Sequence, residues 1–371
     1  MGKIFSVIVV FAVLFSLVPF SAFAVEGEPD GISAETFIVC DDFGKEIFSL
    51  LPDKQMQPAS TAKLLTALVA VENCSLDSVI TVTPSHLDTE GSMMYLRVGE
   101  TVSMGELLYG LLLSSGNDAA LAIADLVCEE GEDFADLMNK KAAELGMVSS
   151  RFSNPSGLPN ENTYTTARDL SRLIAAFTDN SELMEISGTC EAVFEKRTLV
   201  NHNRLLVTVS GVDCGKTGYT MAAGRCLVTS AVRNGRRIFV VTMNCPNDWD
   251  DHEKLYAAAF DRYSECQLSG LLPVSQSVVG SEKSFVRVGC SNLPSVWLSA
   301  EETAGLSSVT YMRRFEYAGV EAGEICGKTK IFCGSRLVAE VSVFYTESVK
   351  NQGTETGLNY IGMYTKKELV F

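Results

Sequence analysis

The chain has 371 residues, a length that favours two domains, or one large domain with an appendage. Hydrophobic residues make up 46% of it, which is enough to bury a core and excludes a disordered chain. The formal net charge of −16 excludes a nucleic-acid partner, because a nucleic-acid-binding surface is basic. The same charge suits a soluble domain that stays solvated near other anionic material.

The first residues, 1–24, are typical of a signal peptide. An apolar run follows the cation Lys3 and ends at Ala22-Phe23-Ala24, the small-x-small pattern after which signal peptidase cuts. An uncleaved membrane anchor is the alternative, but the run is short for a complete membrane span. We therefore expect export, and a mature protein outside the cytoplasm, at the cell wall or the membrane surface.

The chain has 11 cysteines, an odd number, and no C-x-x-C pair. Several stand singly in apolar segments: Cys40, Cys128, Cys226 and Cys245. They read as small buried hydrophobic residues rather than a disulfide framework, although one or two bridges stay open. The histidines are far apart and lack the spacing of metal ligands, so we predict no metal and no other cofactor. They are His86, His202 and His252.

The first part of the chain combines strands with helices. Residues 33–50 predict two strands joined by a turn at 41–44, and a helix follows from the segment PASTAKLLTA through Glu72. Residues 77–87 are strand-like. Residues 101–130 predict two helices, broken at Ser114-Ser115-Gly116-Asn117.

The following segments continue this pattern and then change it. Residues 132–147 predict an amphipathic helix that ends at Gly146, and residues 165–180 predict another, with Thr165 or Thr166 as its N-cap. Strands begin after Asp213. Residues 224–244 predict a hairpin that turns at Asn234-Gly235, and residues 250–266 predict a closing helix.

Beyond about Leu272 the sequence alternates apolar and polar residues, with frequent glycines. We therefore predict an α+β protein. Its first domain, residues 25–270, is an antiparallel sheet covered by helices, and its second, residues 271–350, is a small all-β, sandwich-like domain. Residues 351–371 form a weakly patterned tail.

One short motif bears directly on chemistry. Ser60 and Lys63 stand three residues apart, and helical residues at that spacing share a face. A lysine can take the proton of a serine hydroxyl if its pKa falls through burial or a neighbouring cation. Ser-x-x-Lys also occurs by chance, and Ser60 alone could be a simple N-cap.

Two further motifs strengthen this interpretation. Ser115-Gly116-Asn117 lies at the break between two helices, and Lys216-Thr217-Gly218 lies at the entry to a strand. Each alone is better explained as a helix cap or a turn. Together, S-x-x-K, S-D-N and K-T-G are the signature of serine β-lactamases and penicillin-binding proteins.

The sequence resembles the low-molecular-mass penicillin-binding proteins that are serine D-Ala-D-Ala carboxypeptidases. The resemblance runs from about Glu35 to Glu265 and rests on PASTAKLLTA, LLYGLLLSSGNDAA, LGMVSSRFSNPSGL, TTARDLSRLI, NHNRLL and GKTGYT. The β-rich segment after Leu272 is similar to the small C-terminal domain of that family. The resemblance implies a β-lactamase/transpeptidase-like first domain, peptidoglycan stem peptides as substrates, and inhibition by β-lactams.

The resemblance also assigns roles. Ser60 is the acylated nucleophile, Lys63 its general base, and Ser115 the relay of a proton to the leaving amine. Asn117 holds Lys63 or the substrate amide. Lys216 attracts the substrate carboxylate and also depresses the pKa of Lys63. Thr217 donates a hydrogen bond to the same carboxylate. The N–H groups of Ser60 and of the residue after Gly218, Tyr219, form the oxyanion hole.

Three features depart from the family pattern. Tyr219 stands where some relatives have histidine. The stretch NCPNDWDDHEKL lacks the arginine with which some relatives hold the terminal carboxylate, so Lys216 and Thr217 are left to hold it. The tail shows no clear amphipathic helix, and a weak attachment to the membrane surface stays open.

Two other functions remain as alternatives. One is a class A β-lactamase, but Gly116 replaces the aspartate of S-D-N, and no E-x-x-L-N loop offers a deacylating glutamate. The other is a catalytically silent penicillin-binding module, which intact motifs disfavour.

Overall fold

The structure is a computed structural model that describes residues 29–128, 131–268, 271–290 and 293–351. The predicted signal peptide and residues 352–371 of the predicted tail lie outside these ranges. Within them, no helix combines the length and the apolar composition needed to cross a bilayer.

The first domain begins with a hairpin and continues into a helical layer. Its elements are, in chain order, β1 (Thr36–Asp41), β2 (Glu46–Leu50), α1 (Lys63–Asn73), β3 (Val79–Thr81), β4 (Thr101–Ser103), α2 (Met104–Leu112), α3 (Asn117–Val127), α4 (Phe134–Glu144), α5 (Ala167–Thr178) and α6 (Ser181–Gly188). Two 3₁₀ turns, Ala59–Ala62 and Pro84–Leu87, interrupt the series.

The chain then returns to strands. The elements are β5 (Glu191–Phe194), β6 (Arg197–Val200), α7 (Leu205–Thr208), β7 (Val212–Thr220), β8 (Gly224–Arg233), β9 (Arg236–Met243), α8 (Asp248–Asp261) and β10 (Tyr263–Gln267). Five of the strands form one antiparallel sheet in the order β2-β1-β9-β8-β7. β7 therefore lies at an edge of this sheet, and the functional motif it carries is at that edge.

The sheet is covered on both faces. Helix α5 packs against β1, β8 and β9 on one face, where a large core also includes α1 to α4, and α8 packs against β8 and β9 on the other. Helix α1 is buried at every residue from Lys63 to Ala70, so this part of it runs through the centre of the helical layer. This position explains how a lysine at its first residue becomes fully buried.

The structure around Ser60 differs from the sequence-based prediction of a helix that includes this residue. Ser60 lies in the 3₁₀ turn Ala59–Ala62, and the α-helix starts only at Lys63. Ala59 has a φ of 48°, a left-handed conformation that an α-helix cannot contain. Since side chains three apart eclipse each other in a 3₁₀ turn, the Ser60–Lys63 spacing still brings the two side chains together.

Two other predicted elements are shorter than expected. The strand in residues 77–87 covers only Val79–Thr81, because Pro84 starts the 3₁₀ turn and Thr83 caps it. The closing helix ends at Asp261, and the last residues of the predicted segment form β10 instead. Tertiary pairing outweighs helical periodicity there, because β10 pairs with a later strand.

The second domain is β-rich, as predicted. Its elements are β11 (Ser275–Val279), β12 (Phe285–Cys290), β13 (Ser295–Ser299), α9 (Ala300–Ala304), β14 (Leu306–Met312), β15 (Glu316–Tyr317), β16 (Ile325–Cys333) and β17 (Arg336–Tyr345). Six of these strands form a sheet in the order β14-β16-β17-β12-β11-β15. The α+β fold class with a separate C-terminal sheet domain is confirmed.

β10 and β13 form a two-stranded sheet in which Tyr263 pairs with Ser299. This sheet joins chain segments on either side of the predicted domain boundary at 270/271, which stays a prediction. An ion pair between Arg236, in β9, and Glu302, in α9, adds a contact between the same parts of the chain.

The cysteines follow the prediction at most of the quoted positions. All 11 lie in the described residues as free thiols. Cys40, Cys226 and Cys245 are buried, whereas Cys128 is half-buried at the end of α3. Burial raises the pKa of Cys40 and of Cys226 to about 11, so these two thiols stay protonated and unreactive at neutral pH.

Candidate active site

The hydroxyl of Ser60 lies beside a buried lysine. Lys63 Nζ is 3.0 Å from Ser60 Oγ, 2.7 Å from Asn117 Oδ1 and 2.6 Å from the backbone oxygen of Ser156. The last two atoms can only accept hydrogen bonds. A neutral amine has two N–H donors for them, and its lone pair is then left for the Ser60 O–H.

The electrostatic environment favours this neutral amine. Burial lowers the pKa of Lys63 well below its usual value, and the charge of Lys216 lowers it further. The charge of Asp118 acts in the opposite direction but is the smallest of the three influences. Lys63 is therefore arranged to accept a proton from Ser60.

The Ser115-Gly116-Asn117 corner forms one side of the site. Ser115 is buried with a φ of 60°, an uncommon conformation for a residue with a side chain. Gly116 is the N-cap of α3, and a Cβ there would lie 2.8 Å from Asp118 Oδ1 and 3.0 Å from Met94 N. Packing therefore explains why glycine occupies the middle position of this motif.

The opposite side is the free edge of β7. A Cβ on Gly218 would lie 3.0 Å from the backbone nitrogen of Ser60 and 3.1 Å from that of Thr61. Only a glycine allows the strand to approach the nucleophile this closely. The Lys216-Thr217-Gly218 motif and the Ser-x-x-Lys motif are thus in direct contact in the fold.

Lys216 is the second buried lysine of the site. Its side chain is 1% exposed, and Nζ donates a hydrogen bond of 3.0 Å to the backbone oxygen of Thr217. Burial lowers the pKa of Lys216 to about 7. Near neutral pH this lysine is thus partly charged, whereas the two acceptor oxygens beside Lys63 suit a neutral amine.

A cleft of about 290 Å³ opens between these two sides. Five predicted residues line it: Ser60, Ser115, Thr217, Gly218 and Tyr219. The other three predicted residues, Lys63, Asn117 and Lys216, are buried beside it. The structure therefore brings all the sequence-predicted residues into one region.

Sequence reasoning missed several other residues that line the cleft. They are Ser92, His202, Arg225, Asp248 and Trp249. Arg225 pairs directly with Tyr219 across the β7–β8 hairpin. The short turn between these strands could have revealed this pairing, because a hairpin sets which residues oppose each other.

Arg225 is held in place by two neighbours. Asp248 Oδ1 accepts hydrogen bonds from its Nε at 3.0 Å and its second terminal nitrogen at 2.8 Å, and the guanidinium lies 5.6 Å from the centre of the Trp249 ring. Asp248 is buried, whereas Arg225 is partly exposed. The cleft therefore contains an arginine, from β8 rather than from the segment where relatives carry one.

His202 lies half-buried in the same cleft. Its backbone N–H donates to the backbone oxygen of Leu113, which fixes the segment beside the Ser115 corner. Burial, followed by the charge of Lys216, lowers the pKa of His202, so its ring is neutral at neutral pH. His202 lies in the quoted NHNRLL segment, but sequence reasoning gave it no role.

The site thus combines a hydroxyl, a neutral amine beside it, a glycine-edged strand and a cationic wall. These are the parts of a serine acyl-transfer enzyme that acts on a substrate with a carboxylate. Helices over an antiparallel sheet, followed by a β-rich domain, are the architecture on which this site is built.

Comparison with known proteins identifies the family. The family model of D-alanyl-D-alanine carboxypeptidases of peptidase family S11 matches residues 23–247. The chain therefore belongs to the D-alanyl-D-alanine carboxypeptidase family, and the interpretation as a serine-type D-Ala-D-Ala carboxypeptidase is confirmed.

Individual relatives are similar to this chain over most of its length. D-alanyl-D-alanine carboxypeptidase DacC of Escherichia coli is 30% identical over 366 residues, covering 92% of this chain and 91% of the relative. DacF of Bacillus subtilis is 27% identical over 343 residues, covering 88% of each. The crystal structure of penicillin binding protein 5 from Haemophilus influenzae superposes with a TM-score of 0.63 and 26% identity, covering 87% of this chain and 99% of that one.

Proposed function

We propose that this carboxypeptidase works through an acyl-enzyme on Ser60, with Lys63 as general base. The observation that carries the proposal is the Lys63 amine, 3.0 Å from Ser60 Oγ and with two carbonyl oxygens accepting its N–H groups. Ser60 Oγ attacks the carbonyl of the penultimate D-alanine, and its proton passes to Lys63. The peptide bond breaks, the proton reaches the leaving amine, and D-alanine leaves. Water then hydrolyses the ester.

Ser115 and Asn117 complete the proton path and the base. The position of Ser115 at the cleft supports a role as the relay between Lys63 and the leaving amine. The 2.7 Å contact from Asn117 Oδ1 to Lys63 Nζ supports a role in orienting the base. Because Asn117 Oδ1 can only accept, it also keeps one amine proton away from Ser60.

The β7 edge binds the substrate. The contact between Gly218 and the Ser60 backbone supports an oxyanion hole made by the N–H groups of Ser60 and Tyr219. Lys216 and Thr217 bind the terminal carboxylate of the stem peptide. Arg225 contributes a second cation to the same wall, with donors that Asp248 leaves free for an anionic group.

Peptidoglycan stem pentapeptides are the substrates, and β-lactams acylate Ser60 as substrate mimics. The N-terminal apolar run that ends at Ala22-Phe23-Ala24 supports export through a signal peptide. The protein would then act outside the cytoplasm, at the cell wall or membrane surface. A weak attachment of the tail to the membrane surface is part of this proposal, supported by the two lysines and the apolar residues of residues 357–371.

Intact-mass measurement after penicillin tests the mechanism. We expect one added penicillin mass on the purified protein and none on Ser60→Ala. Release of D-alanine from a pentapeptide should be lost in the same variant.

The same experiment separates the alternatives. A long-lived adduct with D-alanine release supports the carboxypeptidase. Rapid turnover of penicillin would indicate a β-lactamase, and an adduct without D-alanine release would indicate a silent module. An adduct on Ser60→Ala would contradict the assignment of the nucleophile.

A further inference from the structure

Asp118, the residue after the Ser115-Gly116-Asn117 motif, is fully buried beside the site, and the proposed mechanism assigns it no step. Its carboxylate accepts three backbone hydrogen bonds. Oδ1 accepts from Met94 N at 2.9 Å and from Ala119 N at 2.9 Å, and Oδ2 accepts from Leu96 N at 3.0 Å. A single side chain thus holds both N–H groups that flank Tyr95.

Asn117, the residue before Asp118, binds the same segment of the chain. Its backbone N–H donates to Ser92 O at 2.8 Å, and its side-chain amide donates to Glu90 O. Residues 90–96, which we name the cleft loop, are therefore held by two consecutive residues at the start of α3. The cleft loop in turn supplies Ser92 to the cleft wall.

The backbone of the cleft loop bears signs of this constraint. Tyr95 has a φ of 63° although it is not glycine, and its side chain is 80% exposed. A left-handed non-glycine residue persists only where its surroundings determine its conformation, and such residues cluster at functional sites. Because Tyr95 is itself exposed, its conformation is set by its two neighbours, Met94 and Leu96, which are buried and whose N–H groups bind Asp118.

We propose that Asp118 is a positioning residue for acyl transfer: it locks the cleft loop against the start of α3, and so holds Ser92 in the cleft wall and Asn117 on Lys63. The link runs through Asn117, whose side chain donates to the loop at Glu90 and accepts from Lys63. A displaced loop therefore displaces the partner of the general base. This inference rests on the proposed roles of Ser60 and Lys63.

Asp118 also places a negative charge near the base. Lys63 is faced by Lys216 from β7, which lowers its pKa, and by Asp118 from α3, which raises it. Asp118→Asn removes the negative charge. It also replaces one carboxylate oxygen, which accepts a backbone N–H, with an amide NH₂ group that can only donate to that position. The pKa of Lys63 then falls further, so the acid limb of the acylation rate should move to lower pH.

The test measures the rate at which a fluorescent penicillin acylates the purified chain between pH 4 and 8. For Asp118→Asn we expect a loss of about 10- to 100-fold at neutral pH, because misplaced catalytic groups cost rates of this order, together with the shifted acid limb. A purely structural role would not move the limb. A folded Asp118→Asn protein with a wild-type rate and limb would overturn the proposal.

Gly91→Ala disturbs the same loop without changing charge, and keeps the test decisive if Asp118→Asn does not fold. A Cβ on Gly91 would lie 3.1 Å from Asn117 Nδ2. We expect a rate loss of about tenfold with no shift of the acid limb. Gly99→Ala is the matched control, because Gly99 has a φ of 84°, close to the 86° of Gly91, and nothing within 4 Å. Equal rates in these two variants would contradict the proposal.

The Ser60→Ala variant distinguishes a failure of the Asp118 proposal from a failure of the proposed acyl-enzyme mechanism. If Ser60→Ala abolishes acylation while the loop variants react normally, only the role of Asp118 fails. If Ser60→Ala is still acylated, the proposed mechanism itself fails.

Discussion

The two walls of the cleft use the same residue type in opposite ways. On the helical wall, Lys63 is surrounded by three close oxygen atoms, and the two that cannot donate take up its N–H groups. On the strand wall, Lys216 donates to one backbone oxygen, and Arg225 adds a second cation nearby. The first arrangement suits the proposed base, and the second suits a receptor for an anion.

The difference shows that the environment of a lysine decides its function. Burial lowers the pKa of both residues, and the charge of Lys216 lowers the pKa of Lys63 further. Lys216 stays partly charged near pH 7, because its pKa is about 7. Variants that act on one wall at a time should therefore affect different kinetic steps.

Removing the base should have the largest effect. Lys63→Met keeps the apolar stem of the side chain but removes the amine, and we expect acylation by penicillin to fall about 1,000-fold, within the range for loss of a general base. Rapid-quench kinetics measure this rate. Lys54→Met is the control, since Lys54 is an exposed lysine paired with Glu35. A Lys63→Met rate within tenfold of wild type would contradict a base at this position.

Separating the two walls should have the next largest effect. Gly218→Ala places a methyl group 3.0 Å from the Ser60 backbone nitrogen and pushes β7 away from the nucleophile. Because both proposed oxyanion-hole donors, the N–H groups of Ser60 and Tyr219, adjoin this contact, we expect kcat to fall about 100-fold. Gly305→Ala serves as the control, because the nearest atom to its added Cβ is 3.5 Å away. Equal kcat values for the two variants would show that the close approach is not required.

Changing the charge of the strand wall should weaken binding. Lys216→Met should lower kcat/KM for a pentapeptide about 10- to 100-fold, the cost of a charged hydrogen bond. In the wild type, kcat/KM should fall as pH rises through about 7, because Lys216 loses its proton there and no longer attracts the carboxylate. pH profiles for both proteins test this. The idea fails if the alkaline limb near pH 7 is unchanged in Lys216→Met.

Arg225 should have the smallest effect, because it is partly exposed and its charge is shared with Asp248. We expect Arg225→Gln to raise KM for the pentapeptide about tenfold with little change in kcat, the pattern of an interaction present in both ground and transition states. Arg204→Gln is a close control, since Arg204 also lies over the Trp249 ring, at 5.0 Å, but does not line the cleft. Equal KM values for these variants would exclude Arg225 from substrate binding.

Much of the functional prediction rested on the spacing of residues within short motifs. The Ser60–Lys63 separation, the helix break at Ser115 and the Lys216-Thr217-Gly218 strand are properties of short segments, so the sequence could reveal them without the fold. The α+β class and the β-rich second domain follow in the same way from the order and period of the elements.

Boundaries were less predictable wherever a distant partner decided them. β10 replaces the end of a predicted helix because β13 pairs with it. The α-helix after Ser60 starts late because Ala59 is left-handed, with a φ of 48°. A distant glycine packs against that residue, since a Cβ on Gly157 would overlap the backbone oxygen of Ala59. Periodicity within one segment contains no information about such contacts.

The sequence by itself determined which polar groups this protein has for acyl transfer and that Ser60 and Lys63 share one turn. Only the tertiary structure decided what surrounds Lys63, because its burial and the oxygen of Ser156 come from distant segments. The same holds for Arg225 and Asp248, which reach the cleft from the strand after the motif and from α8. Protonation states depend on neighbours in space, and folding chooses those neighbours.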